Sequence, residues 1–122
     1  MALAATAGDA PASWIDWTPQ VPGLRDSHCK VYQHSRFCML LLKVQWDAKS
    51  DGEQITFKLP SNVHCGVPRK APAVVADCTD LSVPRTSSGH ACISADQCVL
   101  VTHGLFVSGR TYSAEAQVAF EL

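Results

Sequence analysis

The sequence has few charged residues and no long apolar run, and both absences exclude classes of partner. Charged residues make up 17% of the 122 residues, against roughly 25% in typical soluble domains. The net charge is −1 and the longest basic run is Arg69-Lys70, so no nucleic-acid surface is expected. The longest apolar run, Phe37 to Leu42, is far shorter than the roughly 20 residues of a membrane-spanning helix. We therefore expect neither nucleic acid nor a membrane as partner.

A secretory signal is also lacking. Residues 1–10 contain no basic segment followed by a hydrophobic core. We therefore expect synthesis in a cytoplasm, where disulfides are rare. The six cysteines are then expected to be mostly free, buried thiols, although an even number would suit a disulfide framework in a secreted protein.

Recognisable catalytic and metal-binding patterns are missing as well. The sequence contains no Gly-x-Ser-x-Gly elbow, no Cys-x-x-Cys pair and no glycine-rich phosphate loop. His28 and Cys29 are adjacent, so on a strand they would point to opposite faces and could not easily share a metal. We expect no catalytic residue, no metal, no cofactor and no enzymatic activity.

The sequence does contain the two-residue alternation that is typical of β-strands, most clearly in residues 111–122. Five apolar residues alternate there with polar or small ones: Tyr112, Ala114, Ala116, Val118 and Phe120. This period of two, with one apolar and one polar face, predicts a strand of an antiparallel sheet that is packed on one side.

Shorter stretches of the same kind predict the remaining strands. They lie at residues 29–33, 37–46, 53–59, 73–78, 90–93 and 97–102, with a short apolar piece at 105–107. Asp51-Gly52 is typical of a hairpin turn, and the segments 60–72 and 80–89 are expected to be loops. About seven or eight short strands predict an all-β fold, an antiparallel, jelly-roll-like β-sandwich.

The beginning of the sequence differs from this pattern. Residues 1–20 are expected to form an extended N-terminal arm, and residues 21–122 the β-sandwich domain, because the first 13 residues are rich in Ala, Gly, Pro and Ser. Four residues of the arm are candidate contacts: Trp14, Ile15, Trp17 and Pro19. The tryptophan rings need a place to be buried, either against the end of their own sandwich or on a neighbouring subunit.

One disulfide is a specific possibility. If residues 94–96 form a three-residue turn, Cys92 lies directly opposite Cys98. Directly opposed residues have Cβ atoms roughly 4.5–5.5 Å apart, which is somewhat wider than a disulfide requires. Two reduced thiols in the hairpin remain the alternative.

Four motifs follow one another along the chain: Trp14 to Gln20, Tyr32 with the strand to Trp46, Ile55 to Pro60, and Val107 to Tyr112 with the final strand. Their order resembles the small β-sandwich domains of tailed-bacteriophage virions. Such domains occur in capsid decoration (cement) proteins, in head fibres and at the ends of tail fibres.

The resemblance implies a structural virion protein, made in the host cytoplasm and assembled as a homo-oligomer, a trimer or a dimer. Under this hypothesis the protein decorates and stabilises the outer surface of a phage head. Its partner would be the major capsid protein, contacted through Trp14, Ile15, Trp17 and Pro19. The alternative is a receptor-binding fibre or spike domain that recognises a host surface. A secreted, disulfide-stapled module or small hydrolase is a third class, and six titratable thiols would exclude the stapled module.

Overall fold

The computed structural model describes residues 13–80 and 85–122. All the regular secondary structure in these ranges consists of β-strands. The nine strands are β1 (Ser13–Trp17), β2 (Leu24–Ser27), β3 (Cys29–His34), β4 (Phe37–Asp47), β5 (Gly52–Lys58), β6 (Cys65–Asp77), β7 (Arg85–Ala95), β8 (Gln97–Phe106) and β9 (Thr111–Glu121). All their pairings are antiparallel. The predicted all-β antiparallel fold is confirmed, with more strands than expected. These ranges hold no helix that is long and apolar enough to cross a membrane.

The strands form one sheet in the order β1-β3-β4-β9-β6-β7-β8-β5, and β2 lies beside β4 in line with β3. The strands β1 and β5 stand at opposite ends of this order. The rings of Trp17 in β1 and Phe57 in β5 are nevertheless only 5.9 Å apart between centroids. The sheet therefore curls over until its two ends meet, and its two halves enclose the core.

The strands β4 and β9 form the longest unbroken ladder of the sheet. They pair over eleven residues each, from Phe37 opposite Glu121 to Asp47 opposite Thr111. Alternate residues of β4 are buried, and so are Tyr112, Ala114, Val118 and Phe120 of β9. The inward faces that the alternation predicts for these two strands are therefore confirmed.

Two segments that were expected to be loops belong to long strands. The segment 60–72 overlaps β6, which contains Pro68 and Pro72, and the segment 80–89 overlaps β7. The register of β6 with β7 shifts between Cys65 and Arg69, and β6 pairs with β9 only from Ala73 onward. The first half of β6 thus has a neighbouring strand on one side only, where the missing N–H of proline is tolerated.

The hairpin predicted at Asp51-Gly52 is also wrong. The strand β5 pairs with β8 instead of β4, so residues 48–51 cross from one half of the sheet to the other. This crossing is fixed by backbone hydrogen bonds, because Ala48 N–H donates to Arg110 O and Gly109 N–H donates to Ala48 O, both at 2.9 Å. Gly109 has a φ of 88°, which an L-residue rarely adopts.

Candidate functional site

The structure places the four predicted contact residues of the N-terminal segment in different environments. Trp14 and Ile15 are 43% and 57% exposed, and they point to opposite faces of β1. Trp17 is half-buried against Phe57 and packs on the core. Pro19 is fully buried. Trp17 thus plugs the protein's own interior, whereas Trp14 and Ile15 remain open to a partner. The prediction that Pro19 contacts a partner is wrong, because its side chain does not reach the surface.

The predicted arm is correspondingly too long. Residues 13–17 pair with β3 from Ser13 opposite Gln33 to Trp17 opposite Cys29, so they are part of the sheet. The boundary at residue 20 is wrong for this segment because its backbone is held by a regular strand ladder. Residues 1–12 of the predicted arm lie outside the described residues.

Trp14 begins a row of exposed or half-buried aromatic side chains on the outer face of β1, β3 and β4. Its ring centroid lies 5.1 Å from that of Tyr32, which in turn lies 6.4 Å from that of Phe37. Phe37 is exposed, and Met39 stands opposite Tyr32 on the same face. We call Trp14, Tyr32 and Phe37 the outer aromatic row. A contiguous exposed apolar patch of this kind is typical of an interaction surface.

The predicted opposition of Cys92 and Cys98 is wrong by one residue. Cys92 faces Val99, and Cys98 faces Ile93, because the turn contains two residues instead of three. Ala95 has a φ of 52°, as a two-residue hairpin turn requires. The two thiols therefore point to opposite faces of the sheet, and both are free.

None of the six cysteines, all of which lie in the described ranges, forms a disulfide. Burial is the main cause that raises the pKa of the Cys98 thiol to about 12, and the neighbouring thiols of Cys92 and Cys29 add to it. Burial, with a contribution from Cys65, likewise raises the pKa of Cys38 to about 11. These thiols are poor nucleophiles because the thiolate is the reactive form.

A cleft of about 600 Å³ opens between the two halves of the sheet, at the end where β6 and β8 finish and β9 begins. We call it the mouth cleft. Its walls carry polar and charged groups from four segments of the chain: Asp77, Asp80, Thr86, Ser87 and Arg110. Leu105 and Val107 form an exposed apolar rim, and the buried rings of Phe106 and Tyr112 stand behind it. Ligand sites commonly lie in the mouths of curled sheets of this kind.

Asp77 and Arg110 form the charged pair of this cleft. Arg110 Nε donates to Asp77 Oδ2 at 2.6 Å, and the other carboxylate oxygen accepts from the backbone N–H of Thr79 at 3.0 Å and from its hydroxyl at 2.7 Å. Burial by itself would raise the pKa of Asp77, but the hydrogen bonds from Arg110 and Thr79 outweigh it and lower the pKa to about 2. Asp77 is therefore ionised at neutral pH.

A chain of hydrogen bonds anchors this pair to the centre of the sheet. The Thr79 hydroxyl accepts from Thr111 N–H at 2.8 Å, and the Thr111 hydroxyl donates to Asp47 Oδ1 at 2.6 Å. The hydrogen bond from Thr111 is the main cause that lowers the pKa of Asp47, and Arg25 adds to it. The ends of β4, β6 and β9 are thereby tied together, so the carboxylate of Asp77 is held in a fixed position.

The arrangement can bind a polar ligand. It offers a fixed carboxylate, a guanidinium group and side-chain hydroxyls to a polar ligand. Within residues 13–80 and 85–122, no group of three or more His, Cys, Asp or Glu side chains is placed to hold a metal ion. Sequence reasoning did not select Asp77 or Arg110, because the two residues are 33 positions apart and no local motif links them.

Comparisons with known proteins give matches in fold only, since no protein family and no curated protein matches the chain. The C-terminal receptor-binding domain of the avian reovirus fibre sigmaC matches 93% of this chain and 76% of its own length, with a TM-score of 0.60 and 14% identity. A longer piece of sigmaC matches 93% of this chain and 64% of its own length, with a TM-score of 0.55 and 14% identity. The bovine atadenovirus type 4 fibre head matches 84% of this chain and 96% of its own length, with a TM-score of 0.51 and 13% identity.

The chain therefore shares its fold with these viral fibre heads. The resemblance to β-rich virion proteins is confirmed at the level of the fold, whereas the narrower assignment to tailed bacteriophages stays a prediction. At 13–14% identity the likeness does not carry over the ligand, the partner or the particle of those proteins.

Proposed function

We propose that the chain is a receptor-binding head domain of a viral fibre. The observation that carries the proposal is the fold, which is similar over 93% of the chain to the receptor-binding domain of sigmaC. The match to a second fibre head, that of bovine atadenovirus type 4, supports the same function. This ranks the receptor-binding alternative above the decoration of a capsid.

The surface of the chain offers two features that support a binding function. The mouth cleft presents the rigid pair of Asp77 and Arg110, and the outer aromatic row presents a separate apolar patch. Two chemically different surfaces suit a protein that contacts both its own assembly and an external ligand. We assign the cleft to the ligand and the outer aromatic row to the assembly.

The assembly that we propose is a homo-oligomer carried on the virion. Trp14 and Ile15 lie exposed on the edge strand β1, whose second edge is not paired with any described strand. An edge strand with exposed apolar residues readily adds a further strand or a covering subunit. Alanine at Trp14 should therefore shift the oligomer towards the monomer in analytical ultracentrifugation, whereas alanine at the exposed Val74 of β6 should not.

The proposed function is tested by the position and number of copies of the chain on purified virions. A fibre head gives few copies relative to the major capsid protein in quantitative mass spectrometry, and antibody label lies at fibre tips in electron micrographs. The isolated protein should also bind host cells saturably and compete with the virus for attachment. Absence of both saturable binding and competition would refute the receptor-binding function.

Capsid decoration is the second candidate, and the outer aromatic row is the observation that favours it. Trp14 and Phe37 would then pack on the major capsid protein. In that case the copy number approaches that of the shell protein, and purified chain rebinds stripped shells. Alanine at both Trp14 and Phe37 should abolish this rebinding.

A further inference from the structure

We propose that the mouth cleft is a binding site for a neutral carbohydrate. This inference rests on the proposed receptor-binding function and names the class of ligand. It is argued from the charge of the cleft, from the hydrogen-bonding groups that its walls present and from the apolar rim.

The charge of the cleft favours a neutral ligand over an acidic one. The described lining residues include two carboxylates, Asp77 and Asp80, and one guanidinium group, that of Arg110. Arg110 is the one cationic group among these described lining residues, and its charge is largely neutralised by Asp77 at 2.6 Å. A sialic acid or a phosphate would therefore gain little attraction from the described walls, whereas a neutral ligand needs no opposite charge.

The polar groups match the hydroxyls of a sugar. A carboxylate accepts hydrogen bonds and a guanidinium donates them, so a pair held side by side can bind two adjacent hydroxyls of one ring. Asp77 is 19% exposed and Arg110 is 43% exposed, so both groups reach the cleft. The exposed hydroxyl of Ser87 adds a group that can both donate and accept.

The apolar rim completes the site. Leu105 is 61% exposed and Val107 is also exposed, so the two side chains can pack against the C–H face of a sugar ring. The rings of Phe106 and Tyr112 are buried and offer no stacking surface. Binding of one sugar to one site should then be weak, with a dissociation constant on the order of 1 mM. Several heads on one fibre would raise the overall affinity through multivalency.

The test uses saturation-transfer NMR on the full chain with four probes, which are the methyl glycosides of galactose, mannose and glucose, and sialyllactose. We expect saturable transfer to at least one neutral glycoside and none to the sialic acid. Arg110→Gln should weaken this binding by about tenfold, because it removes a charged donor. Leu105→Ser should weaken it by about fivefold, because it removes apolar contact area.

Val74→Ser is the matched control. Val74 is 56% exposed and also lies on a strand, but it faces the outer surface of β6, opposite Glu115 and Ser88. This change should leave binding unaltered. Because Leu105 and Val74 are both exposed, both serine variants are expected to fold, which thermal unfolding would verify.

Three results would overturn the inference: no binding of any neutral glycoside, preferential binding of sialyllactose, or equal binding by Leu105→Ser and Val74→Ser. A parallel assay of host-cell attachment separates this failure from failure of the proposed function. One possible result is that protease treatment of the cells abolishes attachment and that the neutral glycosides do not inhibit it. This result would contradict the sugar site but support the receptor-binding function, with a protein as the receptor. Glycoside binding without any cell attachment would refute the receptor-binding function and keep the cleft as a sugar site.

Discussion

Replacing Asp77 with asparagine should destabilise the protein at neutral pH by about 1 kcal/mol. The folded protein lowers the pKa of Asp77 from 3.8 to about 2, which corresponds to about 2 kcal/mol of stabilisation by the ionised form. The Arg110 side chain is 43% exposed, so screening by solvent should reduce this to about 1 kcal/mol. The asparagine oxygen can still accept from Thr79, but its NH2 group then stands in place of Oδ2, so the change removes both the charge and the hydrogen bond from Arg110.

The pH dependence has a definite sign. Because the pKa is lower in the folded state, the stabilisation is fully present above the unfolded pKa of about 4. It is lost as the pH falls through about 2, where the folded protein also binds the proton. The free energy of unfolding of the wild type should therefore approach that of Asp77→Asn between pH 5 and pH 2.

Urea unfolding followed by tryptophan fluorescence at several pH values measures this difference. Asp16→Asn is the control, because Asp16 lies 3.7 Å from Lys30 in a pair whose carboxylate is 89% exposed. Exposed pairs of this kind contribute about 0.5 kcal/mol or less. Equal stability of Asp77→Asn and the wild type at pH 7, or a difference that persists unchanged at pH 2, would refute the assigned role of the Asp77–Arg110 pair.

Three further predictions concern the core, one turn and the thiols. Trp17→Ala should cost about 2 kcal/mol in urea unfolding, because it leaves a cavity against Phe57, whereas Trp14→Ala should cost less than about 0.5 kcal/mol in the monomer. Gly109→Ala should lower the free energy of unfolding by about 1 kcal/mol, since nothing crowds the added Cβ and only the positive φ is strained. An unchanged free energy of unfolding would contradict this prediction. Cys38 and Cys98 should resist alkylation at pH 8 in the native protein while all six cysteines react in denaturant, as mass spectrometry would check.

The strands with an uninterrupted alternation could be predicted from the sequence, and those with prolines could not. In β4, and in β9 from Tyr112 onward, each buried residue is followed by one that is half-buried or exposed, and the pattern follows from the pleat itself. In β6 the local signal of Pro68 and Pro72 indicates a loop. The strand nevertheless forms, because β6 up to Pro72 pairs with β7 alone and joins β9 only from Ala73 onward, and this depends on the tertiary structure.

In the hairpin of β7 and β8, an error of one residue in the length of the turn gave the wrong partners for Cys92 and Cys98. A turn of two residues or of three fits the sequence between Cys92 and Cys98 equally well. The difference decides whether the two thiols meet or point to opposite faces. Side-chain alternation fixed which residues are buried elsewhere, but it did not fix the length of this turn.

The mouth cleft could not be predicted from the sequence, for a different reason. Asp77 ends one strand, and Arg110 precedes another that begins after a turn at Gly109. Their meeting depends on the pairing of β6 with β9, which places Asp77 opposite Tyr112. Charged residues at strand ends are ordinary surface features until the topology brings two of them into one cavity.

The central position of β9 has a consequence for how the protein is made. This strand lies between β4 and β6, and each residue that it pairs with in β4 is at least 64 positions away in the chain. Such distant contacts slow folding to milliseconds or seconds. During synthesis on the ribosome, β4 and β6 each have an edge with unpaired backbone N–H and C=O groups until the eleven residues of β9 have emerged. A truncated product without it would expose both edges and should aggregate.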